Sequence, residues 1–153
     1  MKLANRLGLL ASTFCVLSLS TARIASALPD PCSLLTSKEI SSVVGATFGA
    51  SKPISATACS WTAPVPGSSN VTVTVAVQDA KMWDKATAPL VGVQRVPESG
   101  IGDAAMYTIA GPFASLGVRK GGVTVIIRMY GVHDLARQKS LEKSLAADAI
   151  AKL

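Results

Sequence analysis

Histidine is nearly missing from this chain, with His133 the one imidazole in 153 residues. A hydrolase built on a nucleophile, a base and an orienting group therefore has a single imidazole to offer. His133 stands beside Asp134 at an expected helix start, where helix capping accounts for both residues. Acidic residues are also few, and Asp79, Asp84 and Asp103 lack the spacing of a calcium loop. Gly100-Ile101-Gly102 has no further glycine of a dinucleotide fingerprint, and its glycines suit a tight turn because they permit positive φ. Ser140-Leu141-Glu142-Lys143 has the spacing of S-x-x-K, without the companion motifs of penicillin-binding enzymes and late in a long helix. No internal repeat and no low-complexity tract is present.

Long apolar runs are missing too. The longest, Leu7 to Leu19, falls short of the roughly 18 to 20 residues that span a bilayer as a helix. Lys2 and Arg6 precede it, and small residues ending Ala25-Ser26-Ala27 follow it, the order of a secretory signal peptide. Residues 1–27 are read as that signal, cleaved after Ala27 or alternatively after Ala22. Cys15 follows Phe14 inside the apolar run, and Cys32 follows Pro29-Asp30-Pro31. Neither has the small residues before it that lipidation requires, so the mature protein is expected to carry no lipid and no membrane span.

Residues 28–153 then form a single domain large enough to bury a core. They carry 12 basic against 9 acidic side chains, scattered along the chain. So mild an excess does not argue for nucleic acid. With Cys15 gone, Cys32 and Cys59 remain, and export to an oxidising compartment implies one structural disulfide between them. The same pairing leaves no zinc-type ligand set, and no metal or cofactor is expected.

Local signals give the order of elements. Thr36-Ser37-Lys38-Glu39 has the spacing of a capping box, opening a helix from about Ser37 to Val44 that Gly45 ends. Strand-like pieces follow at 47–51 and 56–62, then a turn-rich stretch from Pro64 to Ser69. Val71 to Val77 alternates valine with Thr72, Thr74 and Ala76, as expected for a sheet with one face on a core. Asp79 to about Ala88 reads as a short helix, with Met82 and Trp83 inside it. Val91 to Tyr130 reads as antiparallel strands, including a hairpin of Ala114–Arg119 with Val123–Tyr130 about Lys120-Gly121-Gly122. Asp134 caps a terminal helix whose apolar stripe comprises Leu141, Leu145, Ala149 and Leu153. The class is α+β: a mostly antiparallel sheet with helices packed on one face, and one disulfide.

Pro31-Cys32-Ser33-Leu34-Leu35-Thr36 with Glu39 and Gly45, then Cys59-Ser60-Trp61, then Gly100-Ile101-Gly102-Asp103-Ala104-Ala105 and an alanine-rich last helix carry a resemblance. Over nearly the whole mature chain they resemble small exported proteins and lipoproteins of unknown function, abundant in actinobacteria. The resemblance implies a bacterial envelope location and an α+β fold, and it brings no catalytic residue. The chain departs from the lipoprotein members in lacking a lipobox cysteine.

No catalytic set emerges. Residues suited to touching a ligand are Trp61, Tyr107, Arg128 and Tyr130, together with Trp83. Trp61, two residues from Cys59, also suits packing over the disulfide, and Trp83 suits filling core space. Arg128 stands in an apolar strand, where a charge must face water or find a partner, on one face with Thr124, Ile126 and Tyr130. The leading expectation is a secreted or periplasmic domain, without enzymatic activity, that binds an envelope ligand or protein across its sheet. The alternatives are a secreted hydrolase using His133, and an inhibitor or structural protein contacting its partner through Pro64–Ser69.

Overall fold

In the computed structural model, which describes residues 27–65 and 69–153, the capping box closes as its spacing demands. The Glu39 backbone N–H donates to Thr36 Oγ1 at 3.2 Å, and the Thr36 backbone N–H donates back to Glu39 Oε2 at 2.7 Å. Helix α1 (Ser37–Val44) follows, and Gly45 ends it at φ 79°, where its missing Cβ removes the cost of a left-handed residue. The expected signal peptide lies, except for Ala27, outside the described residues. So do residues 66–68 of the turn-rich stretch.

No strand forms at 47–51. Phe48 is drawn into the core, and Gly49 makes one backbone hydrogen bond, to the Thr62 carbonyl at 3.1 Å, so the segment runs past the sheet without laddering on it. The strands are β1 (Lys52–Ser55), β2 (Ala58–Ala63), β3 (Val71–Asp79), β4 (Gln94–Glu98), β5 (Ala104–Ala110), β6 (Phe113–Lys120) and β7 (Val123–Tyr130). Between β3 and β4 lie a 3₁₀ turn (Ala80–Met82) and helix α2 (Trp83–Thr87), and α3 (Leu135–Ile150) ends the chain. The hairpin expected at Lys120-Gly121-Gly122 is β6–β7.

All seven strands make one antiparallel sheet in the order β1-β2-β3-β7-β6-β5-β4. Two meanders, β1–β3 and β4–β7, therefore meet at the β3–β7 seam. Both edge strands carry a proline, Pro53 in β1 and Pro97 in β4, which removes a donor that would otherwise invite a further strand. The fold is α+β with one disulfide, as the sequence implied.

Alternation decides which face is covered. Val71, Val73, Val75 and Val77 of β3 point into one core with Trp61 of β2 and Val125, Ile127 and Met129 of β7. Ile40 and Val44 of α1 and Leu145, Ala146 and Ala149 of α3 close over them. Leu141 packs against the edge of this cluster, while Leu153 lies past the helix end and is exposed. Cys32 joins Cys59 of β2 across 5.2 Å between Cα atoms, tying the segment that leads into α1 to the sheet. Lys152 pairs with Glu39 at 2.8 Å and ties the chain end to the same helix. That pair, with hydrogen bonds from Thr36, holds the Glu39 carboxyl below its usual range.

Two polar side chains are buried under α3, and the hydrogen bonding explains them. The β6–β7 ladder runs from Lys120↔Val123 to Ser115↔Arg128 and stops. Beyond it, Gln138 Nε2 donates to the Ala114 carbonyl at 3.0 Å and the Met129 carbonyl at 3.1 Å. Glu142 Oε1 accepts from the Met129 N–H at 3.2 Å and from Gln138 Nε2 at 3.0 Å. The helix thus replaces ladder bonds where the two strands part, because buried backbone groups must find partners.

Candidate functional site

The opposite face carries a different sequence. Thr108, Ser115, Arg128, Thr74 and Ser60 stand across it in register, one per strand from β5 to β2, with Arg95 of β4 continuing the row. The next row along the strands is apolar, with Met106, Gly117, Ile126 and Ala76. A third row brings Arg119, Thr124 and Gln78 together.

Topology puts a roof over part of this face. The chain leaves β3 near the middle of the sheet and must restart at β4 on the far edge, a crossing of about four strand spacings, or roughly 19 Å. The 3₁₀ turn and α2 make that crossing over the face. Asp79 opens it by accepting from the Lys81 N–H at 2.8 Å. Trp83 then lies over Gly117, whose absent Cβ would sit 3.7 Å from the indole, and the Arg119 guanidinium stands 5.7 Å from the ring centroid. The glycine lets the ring settle on the strand, and the cation over its face steadies it. Trp83 is thus buried between α2 and the sheet face opposite the main core.

Between roof and sheet is a cavity of about 260 Å³. Its floor is Met106, Gly117 and Ile126, and its roof is Trp83, Ala86 and Thr87. One wall is the row Arg95, Thr108, Ser115 and Arg128, and the other is Thr124 with Gln78. Among the described residues no carboxylate lines it. Among the described residues, neither Arg95 nor Arg128 has an ion-pair partner, since the ion pairs there are Lys143–Glu98 and Lys152–Glu39.

Among the described residues, three polar atoms at this cavity lack hydrogen-bond partners. Thr124 is 1% exposed, and its Oγ1 makes no hydrogen bond. Gln78 Nε2 and Arg95 Nε are buried and unpartnered as well. Arg95 is held in place meanwhile by a hydrogen bond from Nη1 to Thr108 Oγ1. Buried donors without partners cost about 1–3 kcal/mol each. Three of the four buried side-chain atoms without a partner among the described residues thus gather at this one cavity.

The residues singled out by sequence divide between the two faces. Arg128 and Tyr130 are on the roofed face, Arg128 at the cavity and Tyr130 just beyond it, its ring 6.2 Å from that of Phe113. Trp61 and Tyr107 are on the other face, inside the core. Tyr107 donates its hydroxyl to the Lys139 carbonyl of α3 at 2.6 Å, and burial pushes its pKa up. The four therefore do not form one site. Gln78, Arg95, Thr108 and Ser115 escaped the sequence reading, and Thr124 entered it only as a neighbour of Arg128 on one strand face, because polar residues alternating on a strand look the same whether they face water or a roofed cavity.

The other candidates separate similarly. His133 is exposed before α3 and does not line this cavity, while Asp134 caps the helix by accepting from the Arg137 N–H at 2.6 Å. Lys143 of the S-x-x-K spacing pairs with Glu98 at 2.8 Å, which holds the Glu98 carboxyl below its usual range. Gly100 and Gly102 adopt φ 77° and 60°, and a Cβ on Gly102 would meet the Arg119 carbonyl oxygen at 2.5 Å, so both serve the turn. Among the described residues, no three His, Cys, Asp or Glu side chains converge as a metal site would need, and no helix is long and apolar enough to cross a membrane. Comparison of the chain with protein-family models, with curated proteins and with solved structures finds no match.

Proposed function

We propose that the chain is an exported, non-enzymatic binding domain and that the cavity under α2 holds a small ligand. The observation that carries this is the set of unpartnered buried donors, Thr124 Oγ1, Gln78 Nε2 and Arg95 Nε, gathered at one cavity with an apolar floor. Such pairing of an apolar lining with a few fixed polar groups is what small-molecule sites use. At about 260 Å³ the cavity lies just under the roughly 300–1,000 Å³ typical of drug-sized ligands, which suits a metabolite-sized occupant. Export is supported by the signal-like first residues, by the Cys32–Cys59 disulfide and by the resemblance to exported actinobacterial proteins. A hydrolase built on His133 has no support of this kind, because that residue does not line this cavity.

The test is to recover the protein from its host's envelope and medium, denature it, and identify small molecules released by mass spectrometry. Ser115→Trp, which fills the cavity from a strand position that accepts aromatics, is the control. A compound released by the native chain and missing from the variant supports the reading. Equal release from both, or none from either, contradicts it.

A further inference from the structure

Resting on that reading of the cavity, we infer that its ligand is a small organic acid, a carboxylate on a flat apolar body, lying with its charged end on the Arg95–Arg128 row. Those two arginines stand at the ends of one row across four strands, with Thr108 and Ser115 between them. Three strand spacings separate their Cα atoms, about 14 Å. Both arginines line the cavity, one on either side of that pair of hydroxyls. Arg95 leans inward already, fixed by its bond to Thr108, with a buried Nε to spare. Arg128 has no acidic partner among the described residues.

The charge is one-sided. Among the described residues no carboxylate lines the cavity to neutralise the two arginines, and an anion does so without competing for a partner already present. Charge-assisted bonds from a guanidinium to a carboxylate are roughly twice as strong as neutral ones.

The rest of the cavity favours a carboxylate on a body over a bare inorganic anion. Met106, Gly117 and Ile126 give a flat apolar floor one row away from the arginines, and the Trp83 indole edges the same space. The β5–β6–β7 ladders occupy the floor's backbone groups, so donors come from side chains at the ends alone. Phosphate would meet apolar surface on most of its periphery. Thr124 and Gln78 close the far end with neutral polar groups, which fits a second, uncharged polar substituent.

The test is calorimetry at low salt on the disulfide-bonded protein, using benzoate, benzamide and inorganic phosphate as probes, with Arg128→Gln alongside. Arg128 is exposed, so its replacement leaves the fold intact. The inference expects benzoate to bind at least tenfold more tightly than benzamide or phosphate, and that preference to shrink severalfold or more in the variant. Benzamide binding as well as benzoate overturns the acid assignment while leaving the cavity a ligand site. Phosphate matching benzoate overturns the apolar-body assignment. Failure of all three to bind overturns the inference, and the release of a compound from the native chain then judges the cavity separately.

Discussion

Glu142 is the residue whose chemistry departs most from its type. It is fully buried, one carboxylate oxygen accepts two hydrogen bonds, and the other has no partner. Burial pushes its pKa up to about 7, with the bonds from Gln138 and Met129 and the charge of Arg128 opposing. The folded state therefore holds a proton between the ordinary carboxylate value and about 7 that the unfolded chain releases. Stability falls as pH rises through that window, by an amount on the order of 3 kcal/mol. Urea unfolding at pH 5 and pH 8 should show this loss, and Glu142→Gln should abolish most of it while keeping both accepted bonds. A variant with the same pH slope as the native chain would remove Glu142 as the cause. Nothing in the sequence marks this residue. A glutamate on a terminal helix ordinarily faces water, and its burial follows from where β6 and β7 separate, a tertiary fact that helical spacing does not contain. Gly102, by contrast, was legible as a turn glycine. Gly102→Ala should cost about 2 kcal/mol or more, since the added carbon meets the Arg119 carbonyl at a φ that disfavours it.

Elements were legible in proportion to how local their causes are. The capping box fixed the start of α1 because both of its bonds lie within four residues, and Thr36→Ala should cost about 1 kcal/mol. β3 was plain from its alternation, since a two-residue period with one buried face needs no knowledge of the partner strands. The stretch at 47–51 also looked strand-like and is not a strand, because its fate depends on Phe48 finding the core. The placement of α2 was the least legible. Its five residues give no stripe to read, and its position follows from the sheet order, which makes the β3–β4 crossing pass over the face opposite α1 and α3. Trp83 is what holds it there. Trp83→Ala should destabilise the protein by about 3 kcal/mol, measurable by urea unfolding, and should speed amide exchange in α2 well beyond that in α3. Uniform acceleration in both helices would mean that the roof does not open independently of the core.

For the whole molecule, the two faces of one sheet divide the labour. The valine face, closed by α1 and α3 and pinned by Cys32–Cys59, supplies stability. Closing a loop of 27 positions is worth about 3–4 kcal/mol on the chain-entropy model. The threonine- and arginine-bearing face, half roofed by a crossing that the topology imposes, holds the cavity. Of the residues that a sequence reading offered for a binding surface across the sheet, Arg128 and Tyr130 lie on the roofed face, and Trp61 and Tyr107 lie in the core on the other. Large aromatics draw attention by type, while the side of the strand they occupy depends on register with neighbours far along the chain.

The two tryptophans make the central claim directly measurable, because one sits on each face. In a nitrogen–proton correlation spectrum each gives one indole signal, Trp61 from the core and Trp83 from the roof of the cavity. Titration with benzoate should move the Trp83 signal in a saturable way while Trp61 stays in place. A Trp83 signal that stays still, or two signals that move together, would contradict a ligand site beneath α2.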